Sequence, residues 1–367
     1  MKVILLADSN STHTIKWALS LSKRGINIYI FSLSKLIVNS YKNSKNIEIK
    51  SANQIVKYEE GKLSKIKYLK IVPILKEYIS KVQPDVVHAH YASSYGLLGA
   101  LSKFHPFVIS VWGSDVFDFP NNSIIHKNIL KINLRKADKI LSTSKVMATE
   151  TQQYTNKPIE ITPFGIDTKQ FAKKTVKSIF NKNDIIVGTI KSLEPVYGIE
   201  HLINAFKIVS DKHPKIPLKL LIIGGGSQEK KLKLLVKDLN IEDQTIFVGK
   251  ILHSEVPRYL NMLSIFVALS NKESFGVSII EASACKLPVV VSNVGGLPEV
   301  VENKKSGYIV PAQNPEQAAK KIEMLVLDSE LRQSMGDFGR EWVKRTYNWT
   351  DNVDQMISIY NKMLKND

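Results

Sequence analysis

Short runs of β-branched and other apolar residues alternate with stretches of helical periodicity along almost the whole chain. In the first half the runs predict strands at 3–7, 26–31, 86–89, 107–111, 139–142 and 159–162. Helical patterns fall between them at 12–24, 65–82, 95–104, 126–136 and 145–154. The second half begins the alternation afresh, with strands at 185–190, 218–223, 245–248, 265–268, 289–292 and 308–310. Its helices are predicted at 199–210, 229–239, 256–262, 277–285 and 315–327; 330–347 and 349–364 read as helices with no strand after them. Strands of this length separated by helices are the pattern of parallel α/β sheets.

A polar, lysine-rich stretch of weak periodicity, 168–184, reads as a linker. It divides the chain into a first Rossmann-like domain, 1–168, and a second, 184–346. The remaining 347–367 is expected to be a helix crossing back to the first domain. The chain's 367 residues exceed what one ordinary core organises and suit two doubly wound α/β domains. No short repeat or low-complexity tract interrupts them.

Composition changes this picture little. Apolar residues make up 44% and charged residues 23%, as in ordinary globular proteins. The apolar start, Met1 to Ala7, is cut off by Asp8 and Ser9, too soon for a signal peptide. No apolar run approaches the roughly 18 residues of a membrane span. The single Cys285 has no internal disulfide partner, so a reducing, cytoplasmic setting is expected.

Charge changes it more. The net charge is +17, and residues 1–165 hold 23 Lys and Arg against 11 Asp and Glu. Such a field suits phosphorylated substrates or the anionic inner face of the cytoplasmic membrane; lysines on solvated faces account for it equally well. Nucleic acid is disfavoured, for the chain shows no zinc-ligand spacing, no aromatic ribonucleoprotein motif and no Arg-rich arm. The 65–82 segment lines up Ile71, Leu75, Tyr78, Ile79 and Val82 against Lys65, Lys67, Lys70, Lys76 and Lys81, with Pro73 interrupting it. A core helix and a membrane-surface helix both fit that stripe.

The chemistry concentrates in Asn271-Lys272-Glu273-Ser274-Phe275-Gly276-Val277-Ser278-Ile279-Ile280-Glu281-Ala282. This stretch follows one predicted strand and opens a helix. First-turn amides lack intrahelical partners and carry the positive end of the helix dipole. Gly276 removes a Cβ where a phosphate would approach them. Glu281, one to two turns inside, is within reach of a sugar hydroxyl pair, and Glu273 lies on the other side of the same phosphates.

The stretch resembles the Glu-x7-Glu signature of the retaining glycosyltransferase family 4, the group 1 glycosyl transferases of GT-B architecture. Val290–Pro298, Glu299-Val300-Val301, 307–311, 221–226, Phe247-Val248-Gly249 and 163–171 are similar to neighbouring elements of that family. The resemblance covers essentially the whole chain and is most specific over 188–311. It implies two domains facing each other across a cleft, with the acceptor on the first and a nucleoside-diphosphate sugar on the second. On that resemblance Glu281 binds the donor ribose and Glu273 contacts the transferred sugar. The amides around Ser274, Phe275, Gly276 and Val277 hold the diphosphate, and Lys250 and Ile251 frame the base. Gly225, in Gly224-Gly225-Gly226, either brings backbone to the ligand or makes a tight turn.

Departures from the family pattern are specific. Where the family has an Arg and a Lys around the leaving diphosphate, this chain has Lys191 and Tyr197. A lysine is a point charge without the bidentate fork of arginine, and a tyrosine is neutral. Lys286 stands where the family often has Gly. In the first domain Asp8-Ser9-Asn10-Ser11-Thr12-His13 replaces a glycine-rich loop. Asn10, Ser11 and His13 are candidates to face the cleft, with Ser11 or Thr12 as helix cap and His13 as a core-facing residue at the helix start the alternatives. Trp112, in Val111-Trp112-Gly113-Ser114-Asp115, replaces a histidine that touches donor sugar in relatives. Trp112 is read as a sugar platform or as domain packing, Asp115 as an acceptor contact. His90, near another strand end beside His88, is a further acceptor candidate.

The expectation is a retaining, metal-independent hexosyl- or N-acetylhexosaminyltransferase without a cofactor, in which Lys191 and Glu273 act at the reacting centre. The acceptor is expected to be a glycan or a lipid-linked glycan of cell-surface polysaccharide biosynthesis. Two rivals remain: another enzyme of the same architecture, such as a sugar-nucleotide epimerase or phosphorylase, and a non-catalytic scaffold that binds sugar nucleotides.

Overall fold

The computed structural model describes residues 1–52 and 64–365, with side chains of the 64–69 stretch left aside. The chain forms two compact units: residues 1–163 with 351–367, and residues 164–350.

The first unit contains a seven-stranded sheet. Its strands are β1 (Lys2–Leu6), β2 (Asn27–Ser32), β3 (Ile47–Ser51), β4 (Val86–His90), β5 (Phe107–Val111), β6 (Lys139–Ser142) and β7 (Ile159–Ile161). Their spatial order is β3-β2-β1-β4-β5-β6-β7, and every pair is parallel. The crossovers are α1 (Thr12–Lys23), α2 (Ser64–Val82), α3 (Ser94–Ser102), the single turn α4 (Ser114–Phe117), α5 (Ile124–Lys136) and α6 (Lys145–Gln152). β4 and β5 are buried along their whole length, as central parallel strands covered on both faces should be. β3 escapes the sequence pattern because it is an edge strand whose burial merely alternates between partial and none.

The second unit repeats the plan with six strands: β8 (Ile185–Ile190), β9 (Leu218–Ile223), β10 (Thr245–Gly249), β11 (Ile265–Ala268), β12 (Val289–Ser292) and β13 (Gly307–Val310). Their order is β10-β9-β8-β11-β12-β13, again all parallel. Its helices are α7 (Ile199–Lys212), α8 (Glu229–Asp238), α9 (Val256–Leu260), α10 (Val277–Ala284), α11 (Pro315–Leu327) and α12 (Ser329–Thr346). Asn314 and Asp328 cap α11 and α12 by accepting from the amides of Gln317 and Leu331.

The lysine-rich stretch 168–184, read as a linker from sequence, lies wholly within the second unit, whose boundary falls earlier, at residue 164. Phe171 is fully buried in the second unit, and Arg340 donates to the carbonyls of Phe171 and Thr168. An arginine fork and one aromatic anchor therefore fix the start of a segment that reads as loose in sequence. The final helix, α13 (Trp349–Lys365), runs from the second unit into the first. There the Tyr360 hydroxyl meets His88 Nδ1 at 2.7 Å, Gln355 donates to the carbonyl of Ile161, and Arg24 pairs with Asp354.

α2 is a core helix: Ile71, Leu75, Tyr78, Ile79 and Val82 are buried, while Lys70, Lys76 and Lys81 are exposed. Lys65 and Lys67 lie among the side chains left aside. No helix among the described residues is long and apolar enough to cross a membrane.

Candidate active site

In an open parallel sheet, ligands bind beyond the strand C-termini where the strand order reverses. In the second unit that point lies between β8 and β11. The loop after β8 carries Lys191, and the loop after β11 carries Glu273. Across the switch point their side chains form an ion pair, with only 11% and 12% of their side-chain surface exposed. Lys191 Nζ also sits 4.7 Å from the centroid of the Tyr197 ring. The neutral residue in the second phosphate-side position thus lies against the one cation in the first.

Backbone geometry fixes this pair. The amide of Gly296 donates to the carbonyl of Glu273 at 3.0 Å, and a Cβ on Gly295, at φ +50°, would stand 1.7 Å from that oxygen. The two glycines after β12 press against Glu273 and Ser274 where no larger residue fits. Phe275 is buried, edge-on to Phe164 at 5.8 Å and Tyr347 at 5.7 Å, and anchors the loop just ahead of α10. Gly276, at φ +104°, is the helix N-cap. A Cβ there would meet Leu297 and Ile279 within 2.9 Å, so core packing demands glycine as strongly as any ligand does. The amides of the first turn, from Val277 on, face the C-terminal end of the sheet.

Glu281 lies inside α10, buried, and its Oε1 stands 2.9 Å from His253 Nε2. His253 belongs to a short 3-10 turn after β10, and its ring lies 5.7 Å from that of Phe171. Sequence reasoning missed His253. Its only signal is its place two residues beyond Ile251, in the loop read as framing the base. Lys250 is exposed and Ile251 half-buried in that loop. Gly225 is buried against the aliphatic stem of Lys250, and Cβ atoms on Gly224 and Gly226 would strike the carbonyls of Lys191 and Leu193. The triple glycine therefore packs against the chain's own β8 loop. Glu194 in that loop accepts from the Ser227 amide and hydroxyl, and these bonds hold its carboxyl below the usual range.

The first unit has its switch point between β1 and β4, and the predicted residues follow β1, β4 and β5. Trp112 is nearly buried, with His90 at 4.3 Å in a tilted stack and His13 at 5.7 Å edge-on. Tyr91 packs against the same indole. Trp112 is thus built into an aromatic cluster, and the packing reading accounts for most of its surface.

Asp115 departs from its expected role. Its buried carboxylate accepts from the amides of Ala92, Trp112 and Gly113 at 2.7 to 3.2 Å, so it ties the β4 and β5 loops together instead of presenting itself to an acceptor. Burial raises its pKa while those amides pull the other way. Asn10 is also occupied: its amide group donates to Lys35 and its carbonyl accepts from Ile37. Ser11 holds the N-cap position of α1 without a side-chain cap bond. His90 is buried, and its Nδ1 has no hydrogen-bond partner among the described residues. Burial, then the charges of His88 and His13, depress its pKa well below normal. Lys286 adopts φ +63° just after α10, the left-handed geometry that suits the family's usual glycine.

Two Rossmann-like units, with an acidic pair and a cation at one switch point, have the architecture of GT-B glycosyltransferases. Residues 2–144 match the family "Glycosyl transferase 4-like", and residues 170–342 match "Glycosyl transferases group 1". The chain belongs to this family of group 1, family 4 glycosyltransferases. It is 27% identical over 366 residues to N-acetyl-alpha-D-glucosaminyl L-malate synthase of Bacillus anthracis, covering 95% of this chain and 92% of that protein. It is 31% identical over 246 residues to the capsular polysaccharide biosynthesis glycosyltransferase CapM of Staphylococcus aureus, covering 67% and 61%. Among solved structures, sucrose-phosphate synthase from Thermosynechococcus elongatus superposes with a TM-score of 0.85 at 21% identity, covering all of both chains. Anabaena HepE in complex with UDP and glucose gives 0.79 at 17% identity, covering 98% and 99%.

Proposed function

We propose that this protein is a retaining glycosyltransferase that moves a hexosyl or N-acetylhexosaminyl group from a nucleoside-diphosphate sugar to a glycan or lipid-linked acceptor of surface polysaccharide synthesis. The observation that carries the reading is the pairing at the second switch point: Lys191 with Glu273 on one side of the α10 N-terminus, and Glu281 with His253 on the other.

Each part has a chemical use. The α10 amides and the Lys191 ammonium stabilise the charge that grows on the departing diphosphate, and no metal is assigned to that task. Glu281 accepts from the ribose hydroxyl pair, releasing His253. Glu273 accepts from hydroxyls of the transferred sugar, a role that frees the Lys191 ammonium for phosphate. No carboxylate is assigned as nucleophile. The acceptor hydroxyl attacks on the face the diphosphate leaves, and its proton passes to a departing phosphate oxygen.

A second acceptor class has support. One relative similar over nearly its full length is by name an N-acetyl-alpha-D-glucosaminyl L-malate synthase, so a small hydroxy acid is the alternative to a glycan. Purified protein should release nucleoside diphosphate from its donor on addition of acceptor, with or without EDTA. Screening UDP-, GDP- and ADP-linked sugars against glycan extracts and hydroxy acids identifies both substrates. Glu281→Ala should weaken donor binding ten- to a hundredfold, the worth of charged hydrogen bonds to two hydroxyls. Unchanged donor affinity in this variant would remove the ribose assignment. Donor binding without turnover on any acceptor would favour the scaffold instead.

A further inference from the structure

The outer face of α5 combines two properties that soluble helices seldom combine. Ile124, Ile125 and Ile132 are 69%, 60% and 44% exposed. Other large exposed apolar side chains are mostly scattered over separate helices and loops, as singletons normally are. At 100° per residue the three isoleucines fall within about a third of the helix circumference. The same exposed half carries Lys127, Lys131, Arg135 and Lys136. Between residues 124 and 157 there are seven Lys and Arg against two Asp and Glu.

The opposite face explains why α5 holds firm. Leu130, Asn133 and Leu134 are buried, and Ser123 caps the helix through the amide of His126. Asn133 donates to the carbonyls of Ala92 and Ser93 in the loop after β4, the loop that Asp115 also grips. At the other end the Lys157 ammonium donates to the carbonyls of Arg135 and Ala137, fixing one more positive charge beside the last turn. There an open pocket of about 520 Å³ is lined by Lys131, Ile132, Arg135, Tyr154 and Lys157, among others.

We propose that this face of α5 docks on an anionic lipid bilayer. The isoleucines enter the acyl boundary, the flanking lysines meet headgroup phosphates, and the pocket at Lys131 and Arg135 seats one such phosphate. The occupant follows from charge and shape together: a cationic helix face with protruding aliphatic residues fits an anionic interface. The basic stripe of the 65–82 segment is a less suitable contact, because α2 spends its apolar face on the core. Docking through α5 would hold the loops after β4 and β5 close to a lipid-linked acceptor, since Asn133 ties the β4 loop to this helix and Asp115 ties the β5 loop to the β4 loop. The inference stands on the surface alone and is read without transfer activity, so its failure leaves the proposed donor chemistry intact.

The test is flotation of the full-length protein with two vesicle compositions, pure phosphatidylcholine and a mixture with phosphatidylglycerol. Binding is expected to the anionic vesicles only, and to fall as salt rises from 0.1 to 1 M, where screening shortens to about 3 Å. Lys131→Gln with Arg135→Gln should lower binding about thirtyfold. Ile124→Ser with Ile125→Ser should lower it at least about tenfold at unchanged charge. Both variants should keep the melting temperature and donor affinity of the parent protein. Absence of binding to anionic vesicles, or equal binding by parent and variants, would overturn the proposal. So would concentration-dependent dimerisation that the isoleucine variant abolishes, because the face would then belong to a second copy of the chain.

Discussion

Replacing Tyr197 tests the proposed site, which has one cation where the family resemblance implies two. Lys191 Nζ lies 4.7 Å from the Tyr197 ring centroid, and the lysine side chain is only 11% exposed. A cation held over an aromatic face is worth about 0.5–1 kcal/mol in water and about 2 when desolvated. The burial of Lys191 puts this contact near the upper figure. Tyr197→Leu keeps an apolar side chain against the second unit's core but removes the ring, so Lys191 loses that contact. At 1.36 kcal/mol per tenfold, the loss corresponds to about thirtyfold in rate. The loss should appear in kcat more than in KM if Lys191 acts, as proposed, on charge that grows as the diphosphate departs. Tyr197→Phe retains the ring and should stay within about twofold of the parent. The assay is the initial rate of nucleoside-diphosphate release with donor varied at saturating acceptor, with melting temperatures as the control for folding. Equal impairment of the Phe and Leu variants would refute the reasoning, since the hydroxyl and not the ring would then matter. A fully active Leu variant would refute it as well.

Other outcomes follow from the same geometry. Gly295→Ala puts a Cβ 1.7 Å from the Glu273 carbonyl oxygen at a positive φ, so the loop after β11 must move. Left-handed strain alone costs about 1–2 kcal/mol, or about 2–4 °C of melting temperature per kcal/mol; calorimetry should show at least that fall, with activity down more than about tenfold. A variant with native activity would mean the two loops do not constrain each other. The pKa of His88 is lowered by burial to about 3. Its neutral form is therefore the one the fold favours, and the stability it contributes is whole above about pH 6.5 and is lost as pH falls toward 3. Thermal melts should decline between pH 6.5 and 5 by up to about 1.4 kcal/mol per pH unit for this residue. His88→Gln should flatten that slope in part, with His90 supplying the remainder; an unaltered slope would show that His88 titrates normally.

Much of this protein was legible from the order of its residues. Alternation of apolar runs with helical periods fixed the α/β class and twelve of the thirteen strands among the described residues, because a parallel strand buried on both faces must be apolar throughout. The Glu273–Glu281 spacing marked the candidate donor side, since a strand, a glycine and a helix start are local features. What the sequence could not supply are relations between distant residues. Nothing local links Lys191 to Glu273 or His253 to Glu281; the switch point between β8 and β11 and the sheet order beside it bring these together. The role of Asp115 was misread for the same reason. A carboxylate at a strand end looks poised for substrate until the fold shows three amides already filling it. The division of labour among basic helices was likewise a tertiary decision. α2 and α5 carry similar mixtures of lysine and isoleucine, and only packing determined that α2 turns its apolar residues inward while three isoleucines of α5 remain in water. Periodicity reports which residues share a face; which face finds a partner depends on the whole chain.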